Sequence, residues 1–214
     1  MRILLVSHEL TVTGAPNSLL RQARYFREAG HEVDVWSYSD GPLSARYEEA
    51  GLHPRIVPDD RRAIKAAYES SGVRYDFILC NTTRTYRAVD VLQRYGVPVV
   101  WFIRETKVLD EDIWLRPDFE RVFRAFGNLY TVSDYAAGVV RDYNPNVRVI
   151  NNAVADRFRA FAPRGDHFRI GYIGSYTEQK GVAQLVAAFR RVRESARKAV
   201  SESDIQAAYV ALAG

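Results

Sequence analysis

The residues able to do chemistry gather in five short stretches, each placed after an apolar run. His8-Glu9 follows Ile3 to Val6, and Gly14-Ala15-Pro16-Asn17 lies just beyond. Asn81-Thr82-Thr83-Arg84 follows Phe77 to Cys80, Arg104-Glu105 follows Val97 to Ile103, and Gly174-Ser175 leads to Lys180-Gly181 after Ile170 to Ile173. His8 is a candidate base and Glu9 a candidate acceptor of hydroxyl protons. Gly14 and Ala15 can turn bare backbone N–H groups at a helix start towards an anionic or hydroxyl-rich ligand. A turn glycine followed by a helix-starting proline explains the same residues. Arg104-Glu105 reads as cleft electrostatics or as an ordinary surface ion pair, which contributes little. Asn81, Thr82 and Arg84 read as ligand contacts or as loop caps. Lys180 sits at a helix start, where a cation is unfavourable unless an anion visits. Together with Gly174, Ser175 and Gly181 it is a candidate stabiliser of a departing anionic group.

The elements that must position these stretches are legible in the pattern around them. A continuous apolar strand that breaks into a polar loop and feeds a helix is the opening of a parallel sheet covered on both faces. Ligands of such sheets bind outside the carboxyl ends of the strands. The alternation continues: helix from Asn17 to Ala29 closed by Gly30, strand at Val33 to Trp36, helix at 43–50, a short strand at 55–57, helix at 61–71 capped by Asp59 or Asp60. It goes on through a strand at 77–80, a helix to Tyr95, a strand at 97–103, a short helix near 110–115, and helix 118–126, strand 129–132, helix 134–143 and strand 147–150. Ser133 reads as a helix cap, Asn151-Asn152 as a turn, and Trp101 and Phe102 as core. This predicts a doubly wound α/β domain over residues 1–163, ending in a linker with Pro163 and Gly165. The same grammar restarts at Phe168, with Gly181 as far from Ile170 as Gly14 is from Ile3. Residues 164–214 are therefore expected to begin a second Rossmann-like unit: a strand at 170–173, a helix from Val182 to about Val200 and a strand at 209–213.

Composition removes several classes of function. The chain has 214 residues, 47% hydrophobic and 26% charged, and is long enough for one full core and part of another. Its net charge of +4 arises from 30 basic and 26 acidic residues spread through one another, so nucleic acid is not an expected partner. Only Lys65, Lys107, Lys180 and Lys198 are lysine, which singles out the one in a glycine-bracketed loop. Cys80 has no intrachain partner for a disulfide and fits a reducing cytoplasm. No apolar stretch is long enough to span a membrane. Trp114, with Lys107 and Arg116, suggests peripheral contact with a membrane, opposed by Asp110, Glu111 and Asp112. The first loop lacks G-x-G-x-x-G, which argues against a nicotinamide or flavin dehydrogenase.

Four stretches together resemble the GT-B glycosyltransferases of family 4, also called group 1. SHELTVTGAPNSLLRQARYFREAGHEVDVWS is similar to their first strand, glycine loop, helix and second strand. LYTVSDYAAGVV resembles their serine-capped helix, VRVINNAVADRF their exit from the N-terminal domain, and IGYIGSYTEQKGVAQLVAAFRRV the opening of their donor domain. The resemblance implies a retaining enzyme that moves a sugar from a nucleotide-sugar to a glycan or lipid-linked acceptor in polysaccharide or glycolipid assembly. It implies a cytoplasmic location, extending to the inner face of the membrane, and neither metal nor cofactor, the nucleotide-sugar being a substrate. His8, Arg104 and Glu105 then become catalytic candidates, with Glu9, Gly14, Ala15, Asn17, Asn81, Thr82 and Arg84 on the acceptor side. Gly174, Ser175, Lys180 and Gly181 fall on the donor side. The family's paired glutamates would lie past Gly214, so this chain alone is expected to be inactive. Ser175 and Arg104 stand where many members have arginine and histidine. A non-catalytic glycan- or partner-binding fragment and a GT-B sugar-nucleotide epimerase are the alternative readings.

Overall fold

The computed structural model describes residues 1–105, 118–153, 170–174, 176 and 178–198. The chain divides into two compact units, Met1–Ala155 and Asp156–Gly214. The expected linker around Pro163 lies outside the described residues.

The first unit is built on seven parallel strands in the order β3-β2-β1-β4-β5-β6-β7. They are β1 (Arg2–Ser7), β2 (Glu32–Ser37), β3 (Arg55–Ile56), β4 (Phe77–Asn81), β5 (Val99–Ile103), β6 (Leu129–Thr131) and β7 (Val147–Val149). The chain winds outward from β1 to β3, returns across β1 to β4, and winds outward the other way. The reversal leaves a crevice at the carboxyl ends of β1 and β4, the point where such sheets hold ligands.

Helices cover both faces, which is why the strands are apolar without alternation. On β1, Leu4 and Val6 join one core and Ile3 and Leu5 the other, all at 2% exposure or less. The Ile3 face is covered by α1 (Gly14–Glu28) through Leu19, Leu20 and Ala23, and by α2 (Ser44–Glu49) through Tyr47. The Leu4 face carries α3 (Arg61–Ser71), α4 (Tyr86–Leu92), α5 (Phe119–Ala125) and α6 (Asp134–Arg141). At its centre the fully buried Trp101 meets Phe119, Phe123 and Phe126 edge-on, at ring separations of 6.1, 5.5 and 5.9 Å. Edge-to-face contact is the geometry ring quadrupoles favour.

Two local expectations hold in atomic detail. Asp60 Oδ1 accepts from the N–H groups of Arg62 and Ala63 at 2.9 and 3.0 Å, capping α3. Ser133 Oγ accepts from Ala136 N–H at 3.2 Å, capping α6. The helix expected through to Tyr95 is instead three pieces: a 3-10 turn at Thr83–Thr85, α4, and a second 3-10 turn at Gln93–Tyr95. The first turn tightens because the carbonyl of Thr82 is taken by both the N–H and the hydroxyl of Thr85.

A buried carboxylate ties three of the helices together. Asp90 of α4 accepts from Arg61 Nε of α3 at 2.7 Å, Arg94 Nη2 at 3.1 Å and Arg121 Nη2 of α5 at 3.2 Å. Burial works to raise the Asp90 pKa, but the three guanidinium hydrogen bonds outweigh it and hold the group below the usual carboxylate range.

In the second unit, a 3-10 turn at Glu178–Lys180 leads through Gly181, at φ 67°, into α7 (Val182–Lys198). The expected strand at Ile170–Ile173 is not formed, and Ile173 is fully exposed. A strand exists by pairing its backbone with a neighbour, and no described residue pairs with this one. The expected strand at 209–213 and short helix near 110–115 lie outside the described residues. No helix among the described residues is long and apolar enough to cross a membrane.

Candidate active site

The loop leaving β1 is shaped by its own side chains. Ser7 Oγ donates to Glu9 O at 2.7 Å, turning the chain back on itself. Thr11 Oγ1 donates to Glu9 Oε1 at 2.6 Å and lies 3.0 Å from the hydroxyl of Thr13. Among the described residues His8 has Thr82 Oγ1 at 3.0 Å from Nδ1 and Glu9 Oε1 at 3.4 Å from Nε2. Gly41, in the loop after β2, packs against the same segment. A Cβ there would lie 2.5 Å from Leu10 O, so only glycine fits.

Arg104 and Glu105, just past β5, do not face each other as an ion pair. The guanidinium of Arg104 lies 4.3 Å above the Phe102 ring and donates to Asn81 Oδ1 at 2.6 Å, Asn152 Oδ1 at 2.8 Å and Gln22 Oε1 at 3.4 Å. All three partners are neutral amides. Burial brings the Arg104 pKa down to about 10, with Arg21 adding to the fall and Glu105 opposing it. Glu105 Oε2 accepts the backbone N–H of Arg104 at 3.0 Å and of Thr83 at 3.3 Å, joining the exits of β4 and β5. Burial raises its pKa against those hydrogen bonds and the Arg104 charge.

Asn81 and Thr82 are fully buried. Asn81 Nδ2 donates to Ala15 O at 3.1 Å, pinning the start of α1 to β4. Both reach residues of the crevice by hydrogen bonds, Thr82 to His8 and Asn81 to Arg104. Arg84 is half-buried in the 3-10 turn.

The exits of β1, β4 and β5 thus bring His8, Glu9, Asn81, Thr82, Arg104 and Glu105 into one hydrogen-bonded patch. The profile of Glycosyltransferase Family 4 matches residues 12–158, which contain the α1, β4 and β5 parts of that patch. The chain belongs to Glycosyltransferase Family 4. No protein of curated function matches it by sequence. Among solved structures, Anabaena HepE (Alr3699) in complex with UDP-glucose is similar over 72% of this chain and 44% of its own, with TM-score 0.60 and 16% identity. The apo form of the lipopolysaccharide outer core galactosyltransferase WaaB is similar over 74% and 47%, with TM-score 0.55 and 9% identity. At these identities the likeness is one of fold, and it bears out the expected Rossmann-like, GT-B type of sheet. The chain spans less than half the length of both.

Within this family member, α1 begins at Gly14 itself, with Thr13 as a cap whose side chain makes no capping bond. Asn17 Nδ2 donates to Thr13 O at 2.8 Å, so Asn17 braces the loop. Asn152, read as a turn from the sequence, is a partner of Arg104; nothing in the composition of that stretch signals it. In the second unit Gly174 and Lys180 are exposed, and Gly181 O accepts the N–H of Leu185 at 2.9 Å, which starts α7. Ser175 lies outside the described residues. Among the described residues no group of three or more His, Cys, Asp or Glu side chains is placed to hold a metal ion.

Proposed function

We propose that residues 1–155 form the acceptor-binding domain of a retaining, nucleotide-sugar-dependent glycosyltransferase of polysaccharide or glycolipid assembly, and that residues 156–214 open its donor domain. The observation that carries this reading is the convergence of His8 and Glu9 with Arg104 and Glu105 at the sheet's reversal point, in a chain whose residues 12–158, Arg104 and Glu105 among them, match a glycosyltransferase family. The UDP-glucose held by the HepE structure supports a nucleotide-sugar as donor.

Transfer breaks the bond between the anomeric carbon and the phosphate oxygen, and forms one to an acceptor hydroxyl, which gives up its proton. Negative charge develops on the leaving nucleoside diphosphate, and fixed positive groups aimed at it lower the barrier. In this proposal Glu9 accepts hydrogen bonds from acceptor hydroxyls, with His8 beside it. Arg104, whose guanidinium bonds to no carboxylate among the described residues, supplies positive potential, and Glu105 holds the β4 and β5 exits in register. Lys180 steadies the diphosphate. The acceptor is a glycan or a lipid-linked sugar, and the setting cytoplasmic.

Nuclear magnetic resonance titration of the isotopically labelled chain with a panel of glycans and lipid-linked oligosaccharides tests the acceptor assignment. Shifts centred on His8, Glu9 and Glu105 with at least one of them are expected. A panel that moves none of these resonances overturns it.

A further inference from the structure

Thr82 has φ 78° and ψ 161°, a region occupied almost only by glycine, where a β-branched residue is strained. Its backbone is heavily used. The N–H donates to Phe102 O at 2.8 Å, and the carbonyl accepts from Trp101 Nε1 at 2.7 Å, Thr85 Oγ1 at 2.9 Å and Thr85 N at 3.3 Å. None of these bonds needs a side chain at position 82, and glycine would make them all without strain. The one hydrogen bond that requires the threonine is that between Oγ1 and His8 Nδ1, at 3.0 Å.

We infer that Thr82 is a positioning residue at the head of a relay through His8 to Glu9, in which the Thr82 hydroxyl donates to Nδ1 and fixes His8 as the Nε2–H tautomer. The direction follows from the other end of the ring. Nε2 lies 3.4 Å from Glu9 Oε1; a lone pair there would face a carboxylate, whereas an N–H meets it favourably. In this arrangement neither ring nitrogen offers a lone pair to a ligand, so His8 orients and Glu9 acts. Oε1 of Glu9 is held by His8 and by the hydroxyl of Thr11 at 2.6 Å, and among the described residues Oε2 is the oxygen left to receive an acceptor hydroxyl. The relay gives the carboxylate a fixed rotamer, and a strained backbone is retained for that purpose. This assignment of Glu9 rests on the acceptor-site reading above; the tautomer does not.

The test is the ring-nitrogen spectrum of the 214-residue chain labelled in histidine, recorded above the imidazole titration range, with His8 identified by its loss in His8→Gln. The parent should show His8 as the Nε2–H form, and Thr82→Ser should retain it. Thr82→Val should move the tautomer ratio about fivefold towards Nδ1–H, the effect of losing one ordinary hydrogen bond. Thr82→Gly, which removes hydroxyl and strain together, should move it equally and covers the case of a valine variant that does not fold. A parent in the Nδ1–H form, or a ratio unchanged in Thr82→Val or Thr82→Gly, overturns the relay. Neither ligand nor turnover enters this measurement, so its failure leaves the acceptor reading standing, and an absence of glycan binding leaves the tautomer result standing.

Discussion

Arg104 Nε lies 2.6 Å from Asn81 Oδ1, which makes a buried amide the nearest partner of a guanidinium at the ligand edge of the sheet. The other two arms reach Asn152 and Gln22, so one side chain joins β4, α1 and the segment leaving β7. Lysine carries the charge but not the fork. Arg104→Lys should therefore cost about 1.5–3 kcal/mol in urea denaturation, the usual scale for hydrogen bonds to a charged group. It should also move the side-chain amide resonances of Asn81 and Asn152. Unchanged stability would show the three contacts to be decorative.

Glu105 predicts a pH dependence of defined sign. Its folded pKa is raised by burial, so the contribution of its protonated form is fully present below the unfolded value of about 4.3 and is lost as pH rises through the folded pKa. Glu105→Gln keeps an oxygen for the N–H groups of Arg104 and Thr83 and never ionises. It should be more stable than the parent at pH 8, with the difference closing by about pH 4. Denaturation curves at the two pH values decide this, and a variant less stable at pH 8 reverses it.

Asp90 predicts the opposite slope. Its folded pKa is lowered by its three arginines against the effect of burial, so its contribution is present above the unfolded value near 3.9 and is lost as pH falls through the folded one. Asp90→Asn should destabilise the chain at pH 7 by about 3 kcal/mol, the lower end for breaking a buried pair, because Arg94 and Arg121 keep 66% and 57% of their side chains exposed. The deficit should shrink below about pH 4.

Gly41→Ala tests whether the β1 loop is clamped from outside. The new methyl would meet backbone atoms of Leu10, at 2.5 Å from the oxygen and 2.7 Å from the carbon. Neither is the movable end of a side chain. A loss of about 1–3 kcal/mol, typical of overpacking, should accompany shifted resonances at Glu9 and Thr11. A thermal midpoint equal to the parent's would show that the loop can step aside.

Lys180 carries the donor-side proposal. In a protein extended past Gly214, Lys180→Ala should lower the transfer rate at least tenfold, since losing one well-placed transition-state contact costs about 2.7–4 kcal/mol. Stability should barely change, as Lys180 is exposed at the end of a 3-10 turn. Parent-like turnover would make it a surface residue.

The sheet was readable because burial on both faces writes each strand as an uninterrupted apolar run, and because Gly30, Gly51, Gly72 and Gly96 take the left-handed conformations that end helices. The location of the crevice was readable for the same reason, since strand ends announce themselves. What holds the crevice was not. The conformation of Thr82 contradicts its residue type, so no propensity could suggest it. The bonds from Arg104 to Asn81, Gln22 and Asn152 span 23, 82 and 48 residues, distances at which local pattern carries no information. Nothing local marks Gly41 as special, because the backbone it packs against, that of Leu10, is remote in the chain. The apolar run at 170–173 met the pattern of a strand, but pattern supplies no partner to pair with.

Trp101 gives the crevice a native spectroscopic window. Its indole ring is locked among Phe119, Phe123 and Phe126 while its N–H ends on the carbonyl of Thr82. That proton can exchange with solvent only when the β4 exit lifts away from β5. Its exchange rate is thus a label-free clock for the opening of the site. Among the described residues the other indole is that of Trp36, and the Trp101 signal is the one whose ticking would slow when a ligand presses the β4 exit down.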